Sequence, residues 1–283
     1  MYINTIGIVG AGAMGSGIAQ VAATAGFKVL LHDVSQDILA RALKSMDKSL
    51  AKLAEKGKIQ EDKDLILSRV KATTAIEDFK GADFAVEAVF EDFEVKKKLL
   101  VQLDKVLPAE NILASNTSSI SITRLAATTS RPARFMGMHF MNPVPLMVLV
   151  ELVKGLATSQ ETFVQVKALA EKMGKMPVEA SDFPGFISNR ILMPMINEAV
   201  YALMEGVGTA EAIDSVMKFG MNHPMGPLTL ADLIGLDVCL FIMNVLYEGF
   251  KDTKYRPCPL LRKMVDAGFL GRKTGRGFYE YKQ

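Results

Sequence analysis

Gly10-Ala11-Gly12-Ala13-Met14-Gly15 decides how this chain is read. The stretch has the form G-x-G-x-x-G. It follows directly on the apolar run Thr5 to Val9 and precedes Ile18 to Ala25, whose spacing predicts a helix. In that strand–turn–helix setting the three glycines serve a tight turn, close approach of backbone to a pyrophosphate, and close packing of helix on strand. The helix N-terminus then offers free N–H groups to phosphate. The next apolar run, Lys28 to His32, is followed at once by Asp33, an acid 18 residues after Gly15 and in place to hold a ribose hydroxyl. A carboxylate there repels a 2′-phosphate, so NAD is expected over NADP.

Working outward, further apolar runs at Ala82 to Val89, Ile112 to Ser115, Arg134 to Phe140 and Val148 to Val153 alternate with helical stretches. Unbroken apolar runs of this kind suit parallel strands buried on both faces. Ligands of such sheets bind beyond the carboxyl ends of the strands. Polar residues fall there: Glu91 and Lys96 after one run, Asn116, Thr117, Ser118 and Ser119 after the next, His139 and Asn142 at the end of another. From Pro184 onward the pattern changes to helical spacing, at Gly185 to Glu205, Ala210 to Phe219 and Leu228 to Tyr247. The expected fold is α/β, a Rossmann-type dinucleotide-binding domain followed by an all-helical C-terminal domain. The first is placed at 1–184, with a helical insertion after the second strand, and the second at 185–283.

Composition excludes several function classes. The 283 residues are 49% hydrophobic and 23% charged, with Lys plus Arg at 33 and Asp plus Glu at 31. A net charge of +2 lacks the basic excess of a non-specific nucleic-acid binder. Cys239, Cys258, His32, His139 and His223 form no zinc-type cluster, so no metal is expected. No run reaches the roughly 18 apolar residues that a membrane span needs. The best candidate, Leu228 to Val245, is interrupted by Asp232, Asp237 and Asn244. With a strand beginning near Ile3 there is little room for a leader, and the cytoplasm is the expected compartment.

His139 and Glu151 carry the chemistry. They stand twelve residues apart, and a turn at Pro143 to Pro145 can bring their runs side by side. A carboxylate on one ring nitrogen fixes the tautomer and leaves the other nitrogen to move a proton. A lone histidine in an apolar strand is more often a satisfied core residue; the surrounding polar edge favours catalysis here.

With these motifs in hand the chain resembles the L-3-hydroxyacyl-CoA dehydrogenase family, in its bacterial 3-hydroxybutyryl-CoA dehydrogenase form, over essentially its whole length. The resemblance rests on Gly10 to Gly15 with Asp33, Ala114 to Ser119, His139 to Pro145, Asp182 to Arg190 and Gly271 to Tyr279. It implies hydride transfer between NAD(H) and a short-chain (S)-3-hydroxyacyl-CoA/3-ketoacyl-CoA pair. His139 would be the acid/base and Glu151 its partner, with Ser118 and Asn189 binding the substrate oxygens. Glu91, Lys96, Asn116, Asn142 and Lys273 would line the cofactor cleft with Gly10 to Gly15, Ala11 and Ala13 and Met14 included, and Asp33.

The family further implies a homodimer formed through the helical domain, where many of the 17 methionines cluster. It also implies an anchor for the phosphorylated end of coenzyme A at Ser49, Lys52 and Lys56. These lie on the helical segment Gln36 to Lys58. There Leu39, Leu43, Met46, Leu50, Leu53 and Ala54 gather on one face, and Arg41, Lys44, Lys48, Lys52 and Lys56 on the other. A basic face is ordinarily just solvated, and both readings stand.

Two other functions share parts of the pattern. A dehydrogenase of free 3-hydroxy acids has a similar opening but relies on a lysine where this chain has Asn189. A non-catalytic dinucleotide-binding structural protein need not keep His139, Glu151, Ser118 and Asn189 together.

Overall fold

The apolar runs of the first half pair into one eight-stranded sheet in the computed structural model, which describes residues 3–281. The strands are β1 (Thr5–Val9), β2 (Lys28–His32), β3 (Val70–Thr73), β4 (Phe84–Glu87), β5 (Ile112–Ser115), β6 (Phe135–Phe140), β7 (Leu149–Lys154) and β8 (Met176–Ser181). Their order is β3-β2-β1-β4-β5-β6-β7-β8, and every neighbouring pair is parallel except β6 with β7. The chain therefore starts mid-sheet, winds out to β3 and returns to β4. That reversal between β1 and β4 opens the crevice in which such sheets bind ligands.

The helices of this unit are α1 (Ala13–Thr24), α2 (Gln36–Glu55), α3 (Lys63–Ser68), α4 (Phe93–Val106), α5 (Ile122–Ala126) and α6 (Gln160–Lys172). Ser35 caps α2 by accepting the Ile38 N–H, and Leu39, Ala42, Met46 and Leu50 are its buried face. Each large side chain so buried contributes about 1.5–3 kcal/mol. Ala54, assigned to that face by periodicity, is exposed, because the helix reaches its last turn there. The core runs from Ile6 and Ile8 through Leu31 and Phe84 to Met138 and Leu152.

The chain divides after Phe183 into a second unit with its own core, including Met193, Val200, Leu228, Leu236, Cys239 and Leu246. Its helices are α7 (Ser188–Met204), α8 (Ala210–Ser215), α9 (Pro227–Ile234), α10 (Leu236–Phe250) and α11 (Pro259–Asp266). The stretch read as one helix over Leu228 to Tyr247 is two, bent by 99° at Gly235. Gly235 has φ +104°, a conformation that only glycine adopts without strain. The stretch ending at Phe219 leaves α-geometry at Val216 for a single π turn, Val216–Gly220. Among the described residues no single helix is long and apolar enough to cross a membrane.

Candidate active site

The glycine turn joins β1 to α1 at the crevice. Gly10 has φ +99°, and its N–H donates to the His32 carbonyl at 2.8 Å. A Cβ at Gly15 would collide with the Gly10 carbonyl oxygen, so turn and helix approach this closely only with glycine there. Gly12 caps α1 without a side-chain hydrogen bond and has open space where a Cβ would lie. The first N–H groups of α1 are thus left for an anion. Gly10, Gly12, Ala13 and Met14 line a cleft of about 860 Å³ together with Phe90 and Lys98. That volume is in the range of small-molecule and cofactor sites.

Asp33 lines the same cleft. Its Oδ2 accepts the Ala11 N–H at 2.9 Å and its Oδ1 the Ser35 N–H at 3.2 Å. An ionised carboxylate has about four acceptor positions, so two remain for ribose hydroxyls. A nicotinamide dinucleotide therefore fits the residues present: anion-binding N–H groups, an acid for the ribose, and an apolar-sided cleft. His32, also on the cleft, is 6% exposed and its Nδ1 has no hydrogen-bond partner among the described residues. Burial pushes its imidazole below the ordinary histidine range.

A second cluster sits at the carboxyl ends of β4 and β5. Glu87, fully buried, accepts hydrogen bonds from Lys96 Nζ at 2.7 Å, Ser115 Oγ at 2.5 Å and the Val89 N–H at 2.7 Å. Lys96 is buried on α4 and also reaches Val89 O at 3.2 Å and Glu91 Oε2 at 3.3 Å. Its charge therefore acts through two carboxylates. Glu91 Oε1 accepts from Thr117 Oγ1 at 2.6 Å, Ser119 Oγ at 2.8 Å, and the Ser118 and Ser119 N–H groups at 2.8 and 2.9 Å. Burial alone would raise this carboxyl. The Lys96 charge and the hydrogen bonds from Thr117, Ser119 and Ser118 outweigh it and hold Glu91 below the usual carboxylate range. The chain from Thr117 to Ser119 is folded around that anion, which sets where the half-buried Ser118 stands.

Asn116 ties this cluster to the next strand, its Oδ1 accepting the Phe140 N–H at 2.9 Å. On β6 and β7 the antiparallel register sets His139 directly opposite Glu151. His139 Nδ1 lies 2.7 Å from Glu151 Oε2, with both residues buried. An acid on Nδ1 favours the Nδ1–H tautomer and makes Nε2 the proton acceptor. Asn142 is exposed just beyond β6, before a cis bond to Pro143.

The remaining expected site residues lie on α2 and its C-cap, and in the second unit. Ser49 is half-buried on α2, while Lys52 and Lys56 are exposed near its C-terminal end. In the second unit Asn189 is buried in the first turn of α7, its N–H donating to Gly185 O at 3.1 Å. Lys273 holds Asp237 in an ion pair of 2.5 and 2.6 Å. Sequence reasoning gave no role to Glu87 or Ser115, which it placed only in apolar runs and, for Ser115, in the Ala114 to Ser119 motif, and it did not mark the cleft residues Phe90 and Lys98. An acid inside an apolar run nine residues before a lysine is the signal that could have marked Glu87. Among the described residues no group of His, Cys, Asp or Glu is arranged to hold a metal ion.

A doubly wound sheet with a glycine turn at a helix N-terminus, an acid on the same cleft and an imidazole paired with a carboxylate at its carboxyl edge is the framework of a dinucleotide-dependent oxidoreductase. Residues 5–183 match the family described as 3-hydroxyacyl-CoA dehydrogenase, NAD binding domain, and residues 185–281 match its C-terminal domain. A protein of Deinococcus radiodurans named probable 3-hydroxybutyryl-CoA dehydrogenase is 59% identical over 97% of this chain and 99% of its own length. The 3-hydroxybutyryl-CoA dehydrogenase of Bradyrhizobium diazoefficiens is 56% identical over 99% of this chain and 96% of its own. The crystal structure of (S)-3-hydroxybutyryl-CoA dehydrogenase from Ralstonia eutropha matches with a TM-score of 0.97 and 52% identity, covering 100% of both chains. The chain belongs to the 3-hydroxyacyl-CoA dehydrogenase family, with a Rossmann-type nicotinamide-dinucleotide unit followed by an all-helical unit.

Proposed function

We propose that the protein interconverts (S)-3-hydroxybutyryl-CoA and acetoacetyl-CoA with NAD(H), and that His139 moves the proton. The observation that carries this reading is the His139–Glu151 pair, 2.7 Å apart across an antiparallel ladder at the sheet's carboxyl edge. In oxidation, His139 Nε2 accepts the proton of the 3-hydroxyl, and Glu151 stabilises the imidazolium that forms. In reduction, the same nitrogen returns the proton to the 3-oxygen. Ser118 and Asn189 hydrogen-bond that oxygen and favour the charge developing on it. Bound NAD(H) supplies or accepts the hydride at C3.

Gly10 to Gly15 hold the pyrophosphate and Asp33 the ribose, which favours NAD over NADP. Glu91, Lys96, Asn116, Asn142 and Lys273 shape or border the cofactor side of the site. Ser49, Lys52 and Lys56 take the phosphates of coenzyme A, the two lysines as exposed charges whose effect weakens with salt. The protein acts in the cytoplasm as a homodimer joined through its helical units.

The test is the rate of acetoacetyl-CoA reduction with NADH and NADPH in parallel, for the native protein and His139→Ala. The native protein should prefer NADH. His139→Ala should bind NADH normally and lose about 10²–10⁴ in kcat. Near-normal turnover by His139→Ala overturns the role of His139, and equal use of NADPH overturns that of Asp33. Faster reduction of free acetoacetate than of its CoA ester overturns the substrate class.

A further inference from the structure

The segment joining the two catalytic strands, residues 141–148, is tied down from outside. Pro143 and Pro145 carry no N–H, so this stretch is short of donors for its own carbonyls. Pro143 O is satisfied locally, by the Leu146 and Met147 N–H groups at 3.0 Å each. The Val144 and Met147 carbonyls are met by one side chain from elsewhere: Lys175 Nζ donates to them at 2.6 and 2.7 Å. Lys175 is 8% exposed, and its hydrogen-bond acceptors are two backbone carbonyls, not a carboxylate. Burial pushes its ammonium below the usual lysine range, so the lysine is held there at a cost.

Lys175 is itself held on both sides. It follows the turn that ends α6, its N–H donates to Ala170 O at 3.0 Å, and the next N–H, of Met176, donates to Val148 O at 2.7 Å. The clamped segment touches the cofactor side of the sheet as well. Val144 is 1% exposed and lies against Gly17 of α1, where a Cβ would come within 2.8 Å of the Val144 Cβ. One buried ammonium therefore fixes a stretch that begins two residues after His139, ends before the strand of Glu151, and packs on the dinucleotide-binding helix.

We propose that Lys175 is a positioning residue, which locks residues 141–148 and so sets the His139 imidazole in register with the cofactor bound at the N-terminus of α1. The role rests on the reaction proposed above. Lys175 touches no reacting atom. Its effect falls on hydride and proton transfer, where a displacement of about 1 Å costs on the order of 10²-fold in rate.

The experiment compares the native protein with Lys175→Met, Lys175→Gln and Lys175→Arg. Lys175→Met should lower kcat for acetoacetyl-CoA reduction by about 10²-fold, with KM and NADH affinity changed less than about threefold. Deuterium on the transferred position of NADH should slow the variant more than the native protein. Lys175→Arg, which restores a donor, should recover most of the loss. Amide exchange should quicken at residues 144–148 in Lys175→Met and stay slow along β6. Native kcat per folded molecule, or a loss accompanied by an unchanged isotope effect, overturns the proposal. If Lys175→Met does not fold, Lys175→Gln decides by the same measures, with a smaller expected loss. If the native protein does not reduce acetoacetyl-CoA, the proposed reaction fails by itself. Amide exchange then decides the clamp, which unchanged exchange at residues 144–148 overturns.

Discussion

Glu91 in the sheet unit and Asp232 in the helical unit solve the same problem with opposite electrostatic results. Each is a carboxylate around which a loop is folded. Glu91 gathers Thr117, Ser118 and Ser119. Asp232 gathers the C-terminal tail, accepting the Phe278 N–H at 2.9 Å, the Tyr279 N–H at 3.0 Å and the Tyr281 hydroxyl at 3.0 Å. Glu91 has Lys96 beside it and is held below the usual carboxylate range in spite of burial. Asp232 is 1% exposed with Asp214 nearby, and burial pushes its carboxyl up despite its hydrogen bonds. At Asp232 the hydrogen bonds alone do not offset burial; at Glu91 the Lys96 charge together with the hydrogen bonds does. The acid with the cation is the one at the sheet's carboxyl edge, folded into the Thr117 to Ser119 stretch beside the proposed site. The other serves as a latch.

The largest stability loss is expected from removing that latch. Asp232→Ala strands three half-buried donors, and at about 1 kcal/mol each, the low end of the range for a stranded donor, the helical unit should lose about 3 kcal/mol. The chain has no tryptophan, and tyrosines 201, 247, 255, 279 and 281 all lie in the helical unit. Tyrosine emission during urea unfolding therefore reports on it. A loss within about 0.5 kcal/mol of native, the size of an ordinary surface substitution, would remove the latch from the comparison.

The pH dependence sharpens the contrast through its sign. Glu91 has a lowered folded pKa, so its stabilisation is present above the ordinary glutamate range of about 4.3 and is lost as pH falls through the folded value. Asp232 has a raised one, so its stabilisation is present below the ordinary aspartate range of about 3.9 and is lost as pH rises through the folded value. Gln and Asn stand in for the protonated forms. On acidification from pH 7 the stability advantage of the native protein over Glu91→Gln should therefore shrink, and its advantage over Asp232→Asn should grow. Each effect is limited to about 1.4 kcal/mol per pH unit. Urea midpoints that move the same way in both variants would break the comparison.

The same contrast explains what the sequence revealed and what it hid. The Gly10 turn, Asp33 and the facing pair His139 and Glu151 are readable because strand ends and turn spacing place them. β3 and β8 were not. Val70–Thr73 and Met176–Ser181 are edge strands carrying Lys71, Pro177 and Glu179, so they lack the unbroken apolar signature of the central strands. The break at Gly235 was hidden because the apolar pattern continues through it. Partnerships such as Glu87 with Lys96, or Lys175 with two carbonyls, depend on chain crossings that no local pattern encodes. The tail motif Gly271 to Tyr279 supported the family resemblance, but its physical reason, a latch on Asp232 through Phe278 and Tyr279, needed the fold.

The smallest expected effect tests whether the sheet unit also contains a group that burial dominates. His32 lines the cofactor cleft beside Asp33, and burial lowers its pKa even though Asp33 and Glu77 pull the other way. The unfolded chain binds a proton at the ordinary histidine range while the folded chain resists it. Stability should therefore fall as pH drops below that range, with a slope of at most about 1.4 kcal/mol per pH unit. His32→Gln should flatten that part of the urea-midpoint profile between pH 7 and 5. It should leave the acid behaviour due to Glu91 below pH 5 in place, since the two groups titrate in different windows. A slope unchanged by His32→Gln would return this histidine to the inert core and leave burial-dominated titration to Asp232 in the helical unit.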